Sequence, residues 1–125
     1  MNINDWVEFS GGDSVAKRRK PRVMLTGQKN FRLNRLAVEM LGNPQAVRFL
    51  FDAGQNRIGI RATEPDADNV FHVFKERLGQ ASIIRGSSFC KYYGIKPEQT
   101  VEFGSVRIDD DGTLILDLKT ARRLA

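Results

Sequence analysis

Between Arg22 and Ala62 apolar and polar residues alternate with two different periods, and each change of period marks an element. Val23 and Leu25 alternate with polar or flexible neighbours, Gly27 to Asn30 carry turn chemistry, and Phe31 and Leu33 flank Arg32, which predicts two antiparallel strands. Asn34 stands where its side chain accepts hydrogen bonds from the first NH groups of a helix. Leu36, Ala37, Met40 and Leu41 give that helix one apolar face. Gly42 ends it, because glycine enters the left-handed region at little cost, and Pro44 follows in the turn. Val47, Phe49 and Phe51 then alternate in a strand, AGQN at Ala53 to Asn56 turns the chain, and Ile58 and Ile60 alternate in the return strand.

After an acidic, proline-containing linker at Glu64 to Asp68, a similar order is predicted again. Val70 to Phe74 reads as a strand, Gly79 as a turn, and Ile83 and Ile84 as a second strand. Ser87 or Ser88 caps a helix in which Phe89, Tyr92 and Tyr93 fall at i, i+3 and i+4, and Gly94 ends it as Gly42 ends the first. That spacing assigns the tyrosines to the core. Val101 and Phe103 continue past Gly104 to Val106 and Ile108 with a change of phase, which predicts a bulge at Gly104. DDDG at Asp109 to Gly112 is a hairpin turn, Leu114, Leu116 and Leu118 line one face of the last strand, and KTARRLA is a helical turn or a frayed tail. The organisation expected is a basic arm over residues 1–21, one domain of two pseudo-repeats (22–62 and 70–118), and a C-terminal tail over 119–125.

Composition narrows the function classes. With 125 residues and 41% hydrophobic content the chain supplies one ordinary core. No apolar run approaches the ~20 residues that cross a bilayer, and the basic N-terminal stretch has no apolar signal core, so a cytoplasmic protein is expected. The single cysteine, Cys90, has neither a disulfide partner nor a CxxC neighbour. Charge is unevenly placed: residues 1–61 hold eleven Lys or Arg against five Asp or Glu, and residues 62–125 hold nine against ten. That asymmetry points to a polyanion or an acidic protein partner.

The order of elements, with GIKPEQTVEF at Gly94 to Phe103 and FRLNRLAVEMLG at Phe31 to Gly42, resembles the AbrB, SpoVT and MraZ group of bacterial DNA-binding proteins. The resemblance covers about Arg22 to Leu118. It implies a mainly β fold with short helices (α+β), in which tandem strand-strand-helix-hairpin units form a swapped-hairpin barrel, closed within one chain or between two. It also implies duplex DNA as partner and a regulator or antitoxin as role. Where the group opens its helix with proline this chain has Asn34 and Gly86 to Ser88, and where the group has a Gly-Arg pair it has Lys29 and Asn30.

The candidate nucleic-acid contacts are Lys17, Arg18, Arg19 and Lys20 on the arm, and Arg22, Lys29, Arg32 and Arg35 on the first strand pair and helix start. Such side chains suit phosphate contacts, which set affinity and salt dependence without reading sequence. The bland alternative is a solvated outer face. Trp6, Val7 and Phe9 would make a short docked strand or a docking peptide, the basis of a rival reading as a protein-interaction module. A second rival is RNA binding, with Phe31, Tyr92 and Tyr93 as stacking residues. Catalysis finds little support. His72 lies inside FHVF and reads as structural, Cys90 as a core or half-exposed thiol, and Asp109 to Asp111 lack the alternate acids of a calcium loop. The expectation is a non-enzymatic protein without metal or cofactor, either a monomer with internal pseudo-symmetry or a homodimer.

Overall fold

The alternating stretches become strands because each has one apolar face to bury, and the breaks between them fall at turn residues. The computed structural model describes residues 20–124. In chain order the elements are β1 (Val23–Leu25), β2 (Asn30–Leu33), α1 (Arg35–Met40), β3 (Ala46–Asp52), β4 (Arg57–Thr63), β5 (Phe71–Lys75), β6 (Ser82–Arg85), α2 (Ser87–Tyr93), β7 (Val101–Phe103), β8 (Val106–Ile108), β9 (Leu114–Asp117), a 3-10 turn (Leu118–Thr120) and β10 (Ala121–Arg123). The fold is mainly β with few short helices. Among the described residues no helix is long and apolar enough to cross a membrane.

The ten strands of the described residues belong to one curled sheet in the order β10-β7-β1-β2-β6-β5-β3-β4-β9-β8, with every neighbour antiparallel. The hairpins exchange partners across the chain. β2 pairs β6, β1 pairs β7 from the second half, and β5 pairs β3 from the first. The two ends of the order are the two halves of one bent hairpin, β7–β8 with β9–β10. At the bend Gly104 N–H donates to the Thr120 carbonyl (3.0 Å) and Ser105 N–H to Thr120 Oγ1 (2.9 Å). A Cβ on Gly104 would sit 3.0 Å from that carbonyl, so the close approach suits glycine.

Two expectations are corrected here. Gly104 does not bulge a continuous strand; it divides β7 from β8, which occupy opposite ends of the order. KTARRLA is a helical turn only at its start: Lys119 and Thr120 complete a 3-10 turn that Leu118 opens, and Ala121–Arg123 then add β10 to β7, with Arg122 opposite Glu102. The missed strand is short and polar, so its alternation is too weak to read alone.

The helices start differently. Asn34 Oδ1 accepts from Ala37 N–H (3.0 Å) and from Arg22 N–H (3.0 Å), while its amide donates to the Lys20 carbonyl (2.8 Å), so one side chain caps α1 and ties it to the entry of β1. α2 has no side-chain cap. Gly86 occupies that position, and Ser87 and Ser88, the expected caps, lie inside the helix. Gly42 (φ 85°) and Gly94 (φ 69°) both turn left-handed just after their helices, as the sequence predicts.

Inside the curl, Val23, Leu25, Phe31, Leu33, Val47, Ile58, Ile60, Ile84, Leu114 and Leu116 form a core with Ala37 and Val38 of α1 and Phe89 and Cys90 of α2. Each large side chain buried in this way contributes roughly 1.5–3 kcal/mol relative to its exposed state. Strand alternation then dictates what faces out.

Candidate nucleic-acid interface

With Val23, Leu25, Phe31, Leu33 and Ile84 turned into the core, the alternate residues of the same strands point outward. Register places one line of them across six strands: Arg122 opposite Glu102, Glu102 opposite Met24, Met24 opposite Arg32, Arg32 opposite Ile83, and Ile83 opposite Phe74. At roughly 4.8 Å per strand this line runs about 24 Å. Arg22 stands two residues to one side of it and Arg85 two residues to the other. The face therefore carries four arginines.

Arg22 and Arg32, two of the candidates read from the sequence, lie on this face, and each is engaged by a distant glutamate. Arg22 donates from Nε and Nη2 to Glu102 (2.8 and 3.2 Å), and Arg32 in the same way to Glu76 (2.8 Å each). These two-point pairs fix the guanidinium planes. They raise the pKa of Arg22 and Arg32 and hold Glu102 and Glu76 below the ordinary carboxylate range, the side-chain hydrogen bond being the largest cause in every case. The Arg22 side chain remains 61% exposed, whereas that of Glu102 is 17% exposed. Arg35 begins α1 and pairs with Glu39 one turn on, at 3.2 Å. Arg32, Asn34, Arg35 and Glu39 line a groove of about 820 Å³ whose other side is Gln80 and Ala81.

Lys29 sits in the β1–β2 turn with a left-handed backbone (φ 68°). Its N–H donates to the Thr26 carbonyl (2.8 Å) and its carbonyl accepts from Gly86 N–H (2.9 Å), so its backbone joins the two halves. Lys20 is exposed beside Asn34. Lys17, Arg18 and Arg19 lie outside the described residues, as do Trp6, Val7 and Phe9.

The sequence reading left out Arg85 and Arg122. Neither is ion-paired among the described residues; the Arg85 guanidinium stands 5.0 Å from the centre of the Phe74 ring. Arg85 was legible as the outward residue of SIIR, but Arg122 depended on β10.

The aromatic side chains divide in a way that periodicity did not anticipate. Phe31 is fully buried, while Tyr92 is 82% and Tyr93 45% exposed, so the assignment of the tyrosines to the core is corrected. α2, seven residues long, buries only Phe89 and Cys90. Phe49, Phe71, Phe89, Phe51 and Tyr93 form a continuous run of ring contacts with centroids 4.6–6.3 Å apart, and Tyr92 meets Tyr93 edge-on at 4.9 Å.

His72 is exposed rather than enclosed, on the outward side of β5 two residues from Phe74. Cys90 is fully buried, and burial pushes its thiol up to about 11, with Lys29 acting weakly in the other direction. At neutral pH it is a thiol, not a nucleophile. Asp109 to Gly112 form the predicted turn, with Asp109 Oδ1 accepting from Asp111 N–H and Thr113 N–H (3.1 Å each) and Asp111 bridging to Arg61 at 2.8 Å. Among the described residues no group of three or more His, Cys, Asp or Glu side chains is arranged to hold a metal ion. No family model, curated protein or solved structure matches this chain.

Proposed function

We propose that the chain is a non-enzymatic, cytoplasmic double-stranded DNA-binding protein of the regulator or antitoxin kind. In this reading the outward face of β10, β7, β1, β2 and β6 and the arm ending at Lys20 contact phosphates. The observation that carries it is the face itself: Arg32, Arg85 and Arg122 on β2, β6 and β10, and Arg22 just before β1, share one side of the run β10-β7-β1-β2-β6. The planar guanidinium fork is suited to phosphate oxygens. Glu76 and Glu102 already occupy two of the forks, so Arg85 and Arg122 would bear more of the contact than the sequence assigned to them.

The fold belongs to the same proposal. We read it as a tandem of two strand-strand-helix-hairpin units, 22–62 and 70–118, making a swapped-hairpin barrel within one chain. The exchange of β1 onto β7 and of β5 onto β3 supports this, as do the two helices that follow β2 and β6 and end at Gly42 and Gly94. A monomer follows from closure within the chain; a homodimer in solution would instead favour pairing between chains.

Duplex binding measured by fluorescence anisotropy at about 50 and 200 mM salt tests the function, because counterion release makes phosphate contacts strongly salt dependent. Binding should fall steeply over that range. Arg85→Ala and Arg122→Ala should each lower the slope of log affinity against log salt by about 1, and alanines at Lys17 to Lys20 should weaken binding further. Undetectable binding at low salt, or binding indifferent to salt, sinks the reading. An acidic protein partner is then the better one, favoured by Phe74, which is 47% exposed on the same face beside Ile83.

A further inference from the structure

A second recessed surface lies away from the arginine face, beside α2. It is a groove of about 670 Å³ lined by Phe49 of β3 and Phe71 of β5 and by Tyr92 and Tyr93 of α2. Its wall rings are wet: Tyr92 is 82% exposed and Tyr93 45%. The fold has no packing use for the Tyr92 ring, yet it stands edge-on to Tyr93 at 4.9 Å, so the helix presents two aromatic planes at the mouth of an aromatic cleft.

The polar groups at the rim narrow the class of ligand. Arg48 donates from Nε and Nη2 to the Asp68 carbonyl (3.2 and 3.1 Å), which anchors the guanidinium and leaves other donors of its fork unused by that contact. Asn69, with a left-handed backbone (φ 58°), adds an amide that both donates and accepts. No carboxylate lines the groove, in contrast to the groove beside α1, where Glu39 does. Exposed rings to stack on, a fixed cation and an amide match a planar, hydrogen-bonding ligand carried on an anionic backbone.

We propose that this groove binds the unpaired bases of a DNA strand, stacking them on Tyr92 and Tyr93 with Arg48 at the adjoining phosphate or base edge. The proposal relies on the function proposed above only for the class of ligand. It adds a site on another face, for a strand that is not in a duplex.

The test uses a single-stranded DNA about twelve nucleotides long containing 2-aminopurine, whose fluorescence drops when it stacks. The full chain should bind it with quenching. Tyr92→Ala should weaken that binding about tenfold and relieve the quenching, while affinity for duplex DNA stays unchanged; exposure of Tyr92 keeps the fold out of the result, and an unaltered unfolding midpoint verifies this. Single-strand binding without quenching, or unaffected by the substitution, overturns the groove. Tighter binding of the RNA strand of the same sequence overturns the assignment to DNA, and displacement by an acidic aromatic peptide overturns the assignment to nucleic acid. Duplex binding lost with strand binding intact refutes the arginine face alone, and the converse refutes the groove alone.

Discussion

α1 follows β2 and α2 follows β6, and a left-handed glycine closes each, but the two helices begin by different physical means and expose different chemistry. α1 starts with a hydrogen bond from the Asn34 cap and shows charge outward in Arg35 and Glu39. α2 starts at a glycine without a side-chain cap and shows two tyrosines outward. Space requires a glycine at the second start. A Cβ on Gly86 would lie 2.6 Å from Cε1 and 2.8 Å from Cδ1 of Phe31, a fully buried ring on β2. A helix start can thus be specified by what the chain bonds or by what it must avoid.

Gly86→Ala gives the largest effect by which this contrast can be broken. Because Phe31 cannot swing into solvent, the substitution should cost about 1–3 kcal/mol as overpacking, read from chemical denaturation. An unchanged midpoint would mean that the start of α2 is not set by contact with Phe31. Asn34→Ala comes next, at about 1–2 kcal/mol, since it removes the α1 cap together with the ties to Arg22 and Lys20. Ser87→Ala, its apparent counterpart in the second half, should change stability by less than about 0.5 kcal/mol. Equal losses for Asn34→Ala and Ser87→Ala would erase the distinction between the two starts.

The smallest effect concerns the charged face. Glu76 and Glu102 are held below the ordinary carboxylate range when folded. A group of this kind contributes stability that is complete above its unfolded pKa, about 4.3 for glutamate, and is lost as pH falls through the lower folded value. Glu76→Gln and Glu102→Gln should therefore be less stable than the parent at neutral pH. The differences should close as unfolding is repeated from about pH 5 downward. A gap that does not change with pH would show that the carboxylate charge is not what clamps Arg32 and Arg22.

Much of the element order was legible because its causes are local. The alternation at Val47, Phe49 and Phe51, the cap at Asn34 and the left-handed glycines at 42 and 94 each depend on neighbours within a few residues, and each appears in place. The failures have equally physical sources. Ser87 looked like a cap because serine often is one, but the helix starts from Gly86, where Phe31, 55 positions earlier in the numbering, leaves no room for a side chain. Tyr92 looked like core because i, i+3 spacing marks one face, but a seven-residue helix covers only Phe89 and Cys90. β10 carries no apolar alternation of its own and exists because β7 offers it a free edge.

The candidate face shows the same division. That Arg22 and Arg32 share a side of the sheet follows from strand parity, and parity is readable in a sequence. That Glu102 and Glu76 hold them, that Arg85 and Arg122 complete the face, and that a groove opens beside α2 are consequences of register between segments tens of residues apart. By itself, the sequence determined most of the elements and their order, though not β10 or the division of β7 from β8, because backbone propensity and side-chain period act within a few residues. Which strand lies beside which, and hence which charges are neutralised and which rings stay in water, only the tertiary structure decided, because hydrogen-bond pairing joins residues whose separation along the chain carries no local signal.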